Sequence, residues 1–182
     1  PVLLTLCSHT LTAQIFQDAF DQTDLSQNYI IFGNPELPVV RTNAGNPTPC
    51  FDNNGDSNYG NGAMTKKKFD FSEGLILECQ MYVDSGACHY EGTFGLANDT
   101  SDYGDESFPG YAVYLNYRYH DDCYADGNNH GKLYMGIRLS DTSSEKYQIS
   151  TDQYLKSWHN YKIVILPSGR VRFFVDDQLI YE

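Results

Sequence analysis

The stretch from Leu75 to Val83 constrains the fold more than any other feature of the chain: Leu75, Leu77, Cys79, Met81 and Val83 alternate with Ile76, Glu78, Gln80 and Tyr82. A strand turns successive side chains to opposite faces, whereas a helix gathers residues three and four apart, so this period of two predicts a strand with its odd positions toward a core. The alternation recurs over Tyr111 to His120, with Tyr111, Val113, Leu115, Tyr117 and Tyr119 on one face. It recurs again over Lys132 to Leu139, where Leu133, Met135, Ile137 and Leu139 oppose Lys132, Tyr134, Gly136 and Arg138. Weaker strands are predicted over Ile15 to Phe20, Tyr29 to Phe32 and Gly92 to Ala97. A meander closes the chain: Trp158 to Leu166, a Pro167-Ser168-Gly169 turn, Arg170 to Val175, an Asp176-Asp177 turn, and Leu179 to Tyr181. The segment from Asn34 to Gly62, punctuated by Pro, Asn and Gly, is predicted to be loop. The chain therefore reads as all-β, with two packed antiparallel sheets.

Length and charge narrow the class further. The 182 residues suit one sandwich-sized domain, and 15 tyrosines beside 15 glycines suit short strands and tight turns. A net charge of −12 argues against non-specific nucleic-acid binding and polybasic membrane attachment, both of which need a positive field. No stretch approaches the roughly 20 apolar residues of a membrane span. The apolar run Val2 to Cys7, followed by small and polar residues to Gln14, reads as the tail of a secretory signal peptide cleaved near Ala13 or Gln14, or else as a short buried strand. On the first reading residues 1–14 are a leader remnant, 15–182 are the domain, and the protein is secreted or displayed at the cell surface.

The cysteines agree with export. Without Cys7 there remain Cys50, Cys79, Cys88 and Cys123, an even number able to form two disulfides in any of three connectivities. Their spacing does not match a structural zinc site. Reduced burial is the alternative, above all for Cys79 on its apolar strand face.

Three segments resemble the concanavalin-A-like lectin/glucanase superfamily, in particular its laminin-G-like branch. They are Phe16-Gln17-Asp18-Ala19-Phe20-Asp21, the run Phe69-Asp70-Phe71-Ser72-Glu73-Gly74 leading to Glu78, and the hairpin from Trp158-His159-Asn160-Tyr161 to Phe173-Phe174-Val175-Asp176-Asp177. The resemblance implies a two-sheet jelly roll over residues 15–182, with ligands on a concave sheet face or its rim loops. It also implies a strand following the hairpin, so the chain is expected to be a piece lacking that strand, with a sheet edge left open.

The outward positions of the three clearest strands supply the candidate ligand surface: Glu78, Gln80 and Tyr82; Tyr114, Asn116, Arg118 and His120; Lys132, Tyr134 and Arg138. Tyrosine rings stack on sugar faces, amides bind hydroxyls, and cations pair with carboxylate or sulfate, so an acidic polysaccharide is the expected partner. The bland alternative is a solvated strand face with no ligand. Catalysis is not expected. Retaining glycosidases need two carboxylates about 5 to 5.5 Å apart, and the Glu-x-Asp-x-x-Glu strand of the family 16 glycoside hydrolases is absent, Gln80 and Tyr82 following Glu78 instead. A polysaccharide lyase could draw a neutraliser and a base from Gln80, Arg118, His120 and Tyr134, but the alginate-lyase motifs Gln-x-His and Tyr-x-Lys-x-Gly-x-Tyr are missing.

Asp52, Asn54, Asp56 and Asn58 offer hard oxygen ligands in an Asn/Gly-rich loop, which makes Ca2+ the one candidate cofactor. Asp99, Asp102, Asp105 and Glu106 form a second oxygen-rich loop, and plain Asx turns are the alternative for both. Asn98-Asp99-Thr100 is a glycosylation sequon. The expected function is a carbohydrate-binding or adhesion module. A polysaccharide-degrading enzyme and a purely structural extracellular domain are the rival classes.

Overall fold

The computed structural model describes residues 16–20, 22, 24–32, 39–41, 50–52, 62–83, 89–98, 112–120, 131–140 and 143–182. Among them lie one turn of 3-10 helix, Leu25–Gln27, and twelve strands: β1 (Tyr29–Phe32), β2 (Val39–Arg41), β3 (Cys50–Asp52), β4 (Gly62–Thr65), β5 (Leu75–Tyr82), β6 (His89–Ala97), β7 (Ala112–His120), β8 (Gly131–Ser140), β9 (Ser143–Ser150), β10 (Trp158–Ile165), β11 (Val171–Val175) and β12 (Gln178–Tyr181). The protein is all-β, and its strands pair antiparallel.

Two four-stranded sheets dominate, with orders β12-β11-β10-β5 and β6-β7-β8-β9. The chain leaves the first sheet after β5, builds all of the second as a meander, and returns to place β10 beside β5. The crossing points are stitched together, since Lys156 N–H donates to the Val83 carbonyl at 2.9 Å and Val83 bridges Leu155. Each sheet turns one face to a single core. Tyr161, Ile163, Ile165, Val171, Phe173 and Val175 come from the first sheet and Leu115, Tyr117, Leu133 and Met135 from the second. Alternation along every contributing strand leaves one face apolar, and a sheet with one apolar face hides it against another, so the arrangement is sandwich-like. At one margin Tyr147 of β9 stacks on Tyr181 of β12, ring centroids 4.4 Å apart and 11° from parallel.

The hairpin chemistry follows the sequence. Gly169 takes φ +82° in the five-residue β10–β11 connection, and its N–H closes on the Leu166 carbonyl. Asp176 and Asp177 both take positive φ, 49° and 62°, as a two-residue connection between twisted strands requires.

Three expectations change. Residues 16–20 are not a strand: Phe20 has φ +53°, and the Asp18 carboxylate accepts from Phe20 N–H at 2.7 Å, Gln22 Nε2 at 3.0 Å and the Tyr29 hydroxyl at 3.0 Å. A side chain that satisfies its own backbone two residues on competes with strand pairing and here prevails. The expected loop from 34 to 62 contains β2 and β3, and β4 begins at its end; β2 pairs with β3 and β4 with β1. Strands of three or four residues bounded by Pro, Asn and Gly have too few positions to display a period. Finally, neither Cys50 nor Cys79 forms a disulfide in this structure. Cys79 lies on the apolar side of β5, where burial pushes its thiol up to about 11; Cys88 and Cys123 lie outside the described residues.

The segments 16–20 and 69–74, far apart in sequence, meet in space. Phe16 packs edge-on against Tyr29 and Phe69, with centroids 6.2 and 6.0 Å apart. Gly74, at φ +91°, brings its backbone so close to Ile165 that a Cβ would stand 3.0 Å from that carbonyl oxygen.

Two core tyrosines differ in a testable way. The Tyr117 hydroxyl donates to the Thr151 carbonyl at 2.7 Å, whereas the Tyr161 hydroxyl is buried with no hydrogen-bond partner among the described residues. An orphaned buried hydroxyl costs about 1 to 3 kcal/mol of desolvation. Tyr161→Phe is therefore expected to leave the unfolding free energy unchanged or raise it by up to about 1 kcal/mol, while Tyr117→Phe lowers it by about 1 kcal/mol, both read from the denaturation midpoint at constant slope; a clear loss for Tyr161→Phe would show that the hydroxyl has a partner.

Candidate functional site

Strands β7 and β8 bury both faces. Their inward residues enter the core, and on the opposite face Tyr114, Asn116 and Tyr134 are also buried, at 6%, 5% and 7% exposure. The register explains how they come together. Thr93, Asn116, Tyr134 and Gln148 form one row across all four strands, and Gly95, Tyr114, Gly136 and Lys146 form the next. Asn116, a buried polar side chain, donates from Nδ2 to Thr93 Oγ1 at 2.6 Å. The Tyr114 ring lies directly over Gly136, where any Cβ would overlap it. Lys132 and Arg138 are half-buried and stand on the same face of β8 as Tyr134. The pairing sets Arg118 opposite Lys132 and Glu91 opposite Arg118.

Five of the expected positions, Tyr114, Asn116, Lys132, Tyr134 and Arg138, thus share one surface, and three do not. Gln80 and Tyr82, together with Glu78, belong to β5 in the other sheet, and their side chains emerge on its outer face, across the sandwich from Tyr134. Alternation reveals which positions share a face of one strand but not which strands share a sheet. The lyase quartet of Gln80, Arg118, His120 and Tyr134 is divided in the same way. Arg118 and His120 occupy β7, and their side chains lie outside the described residues. Conversely, Thr93, Gln148 and Lys146 went unnoticed. The alternation of Tyr147 and Ile149 in β9 could have revealed the last two, had the strand been longer than its serine-rich start allows.

Of the oxygen-ligand set, only the backbone of Asp52 is described, in β3; Asn54 and Asp56 lie outside the described residues, as does the loop with Asp99 to Glu106. Among the described residues no three His, Cys, Asp or Glu side chains converge as a metal site would require.

A second polar constellation joins β10 to the β11–β12 turn. Asp176 Oδ2 is 2.6 Å from His159 Nδ1, and His159 Nε2 is 2.6 Å from Ser157 Oγ. A carboxylate only accepts, so Nδ1 carries the proton; in the neutral imidazole Nε2 is then an acceptor for the serine hydroxyl, which also has the Leu155 carbonyl within reach at 3.3 Å. The other Asp176 oxygen takes the Asn160 N–H at 2.9 Å, and the Asp176 N–H returns to the Asn160 carbonyl at 2.8 Å. Tyr154 packs edge-on against the imidazole with centroids 5.1 Å apart. Partial burial works to raise the Asp176 carboxyl, but the hydrogen bonds from His159 and the Asn160 amide outweigh it and hold the group below its ordinary 3.8. A depressed carboxyl contributes stability that is complete above its unfolded value and is lost as pH falls through the folded one. Hence the stability gap between the native protein and Asp176→Asn, measured by urea denaturation, is expected to be constant near neutrality and to shrink below about pH 4; a gap independent of pH would show that the carboxylate charge contributes nothing.

Chemically, the β6–β9 face combines an amide, hydroxyls, two buried tyrosines and flanking cations in a chain of net charge −12. That is the equipment for holding a polyhydroxylated, negatively charged ligand. Comparison with protein-family models, with curated proteins and with solved structures found no match.

Proposed function

We propose that the protein is a secreted or cell-surface carbohydrate-binding module of the concanavalin-A-like jelly-roll type, which engages an anionic polysaccharide on the outer face of the β6–β9 sheet. The observation that carries this reading is the row Thr93, Asn116, Tyr134 and Gln148, whose exposed ends Thr93 and Gln148 offer the ligand contacts above the buried Asn116 and Tyr134, flanked on β8 by the half-buried Lys132 and Arg138. A passage from one sheet to the other and back, as between β5 and β10, supports the jelly-roll assignment. Calcium belongs to the proposal through the segment from Asp52 to Asp56, whose alternating oxygens suit a hard cation that orders a loop.

The test is a screen against acidic and neutral glycans, with calcium and with chelator. Half-exposed charge pairs contribute about 1 kcal/mol each, so Lys132→Ala and Arg138→Ala should each weaken binding to the acidic glycan roughly five-fold at low salt, and less at high salt. Unchanged affinity in both variants sinks the assignment of the face. Silence on every glycan favours the purely structural role.

One observation favours an enzyme as a second reading. The chain Ser157, His159 and Asp176 has the connectivity of nucleophile, base and orienting acid. In ester cleavage the Ser157 oxygen would bond the acyl carbon as its proton passes to Nε2. The imidazolium would then return that proton to the departing alkoxide, and water would release the acid from the serine. Labelling of Ser157 by a fluorophosphonate, lost in His159→Ala, supports this reading; an unlabelled Ser157 leaves the constellation as a clamp between β10 and the turn.

A further inference from the structure

The outer face of the β12-β11-β10-β5 sheet carries its own ordered set of side chains. Along β5 and β10 the register sets Tyr82 opposite Trp158, Gln80 opposite Asn160, and Glu78 opposite Lys162. All are at outward positions, because their neighbours Cys79, Met81, Tyr161 and Ile163 alternate toward the core side. The two rings are both half-buried, 5.7 Å apart at 48°, and Trp158 is the chain's single tryptophan. The face thus runs from an aromatic pair, through a pair of amides, to an ion pair in successive rows. Residues on one face of a strand are about 7 Å apart, so the three rows span about 14 Å, the reach of an oligosaccharide rather than of one sugar.

The electrostatics of this face differ from those across the sandwich. Lys162 is bound by two carboxylates, Glu78 at 2.8 Å and Asp177 at 2.5 Å, and their hydrogen bonds hold its ammonium above the usual lysine range. Arg172 is likewise engaged by Glu182 at 2.9 Å. Arg170 also pairs with Glu182, so three cations stand against three carboxylates and each of these cations is already held by a carboxylate; an anionic chain would have to displace those partners, which leaves uncharged hydroxyls as the matching partner of the amides.

We infer that this face is a second glycan site, selective for neutral oligosaccharides, in which Trp158 and Tyr82 stack on the apolar faces of the sugar rings while Gln80 and Asn160 hydrogen-bond the hydroxyls. It is independent of the anionic face proposed above. The protein is then two-sided: with separate sites on opposite sheets, one molecule bridges two glycan chains, and on a surface displaying both kinds the second contact is made at high effective concentration. Such bridging is what adhesion requires, and it needs no oligomer.

The lone tryptophan makes the test direct. Emission of the whole chain is followed during titration with neutral hexasaccharides: β-1,4-glucan, β-1,3-glucan, β-1,4-xylan, β-1,4-mannan and chitin fragments. A saturable shift or quench with at least one of them is expected. The apparent affinity should fall at least ten-fold in Tyr82→Ala and in Gln80→Ala, and should be unchanged in Lys132→Ala. Variants are compared only where circular dichroism and melting match the native protein, and Trp158→Phe, followed by calorimetry, serves if Tyr82→Ala fails to fold. The inference is overturned if none of the five gives a saturable response by emission or by heat. It is equally overturned if the response survives in Tyr82→Ala and disappears in Lys132→Ala, which would place it on the opposite sheet. Because the anionic face is probed by its own ligand and its own variants, either site can fail while the other stands.

Discussion

Phe173→Ala lowers the unfolding free energy by about 3 to 5 kcal/mol, read as a shift in denaturation midpoint at constant slope. Phe173 is 1% exposed, pairs with Ile163 in register and approaches Tyr181 at 6.4 Å between ring centroids. Removing its ring leaves a void that rigid strands on both sides cannot collapse into, so the loss combines transfer free energy with a cavity cost. Against a total stability of about 5 to 15 kcal/mol for a domain of this kind, the variant approaches the limit of folding. Phe174 is the internal control, since it is the next residue in the same strand and points outward at intermediate exposure. Phe174→Ala is expected to cost about 1 kcal/mol or less. Equal losses at the two positions would mean that β11 does not present one face to a core.

Gly136→Ala is expected to cost about 1 to 3 kcal/mol although it adds only a methyl group. The added carbon would overlap the Tyr114 ring. That ring is stiff and itself buried, so it cannot swing aside as an exposed lysine would. The decisive measurement is a double-mutant cycle. In a Tyr114→Ala background the ring atoms that the methyl group would overlap are gone, and its cost should fall by more than about 1 kcal/mol. An undiminished cost would place the strain in the β8 backbone instead. The result bears on function as well, because Tyr114 and Gly136 lie in the row beside Asn116 and Tyr134, and displacing the ring reshapes the proposed anionic-glycan face.

Several elements were legible before any coordinates. β5, β7 and β8 are long enough to show their period, and the inward residues Leu75, Leu77, Met81, Val83, Val113, Leu115, Tyr117, Leu133, Met135 and Ile137 lie in the core or packed against it, while the side chains of Tyr111, Tyr119 and Leu139 lie outside the described residues. The closing meander was legible for a different reason: its turns have local chemistry, Gly169 at positive φ and two aspartates that tolerate the left-handed region. The short strands β2, β3 and β4 were not legible, because three or four residues carry no period and their pairing depends on partners brought up by the rest of the chain. The expected strand at the start failed at Asp18, whose carboxylate is satisfied locally and by the distant Tyr29 hydroxyl.

The candidate sites divide along the same line. That Lys132, Tyr134 and Arg138 share a face, and that Gln80 and Tyr82 share one, follows from the pleat alone, since side chains two apart on a strand point the same way. That the first group stands with Asn116 and Thr93, while the second stands with Trp158 and Asn160 on the opposite side of the sandwich, follows from strand order, which sequence periodicity does not encode. The state of Cys79 was decided in the same way. Its sequence position suits a disulfide or a packed thiol equally, and only the folding of β5 against the core put it in an apolar layer, without a disulfide to any described cysteine. By itself, then, the sequence determined the strand character, the core-facing residues and the turns, all set by forces acting within a few residues. The tertiary structure decided which strands are neighbours and therefore which side chains can act together, because hydrogen-bonded pairing and burial join segments that local forces leave independent.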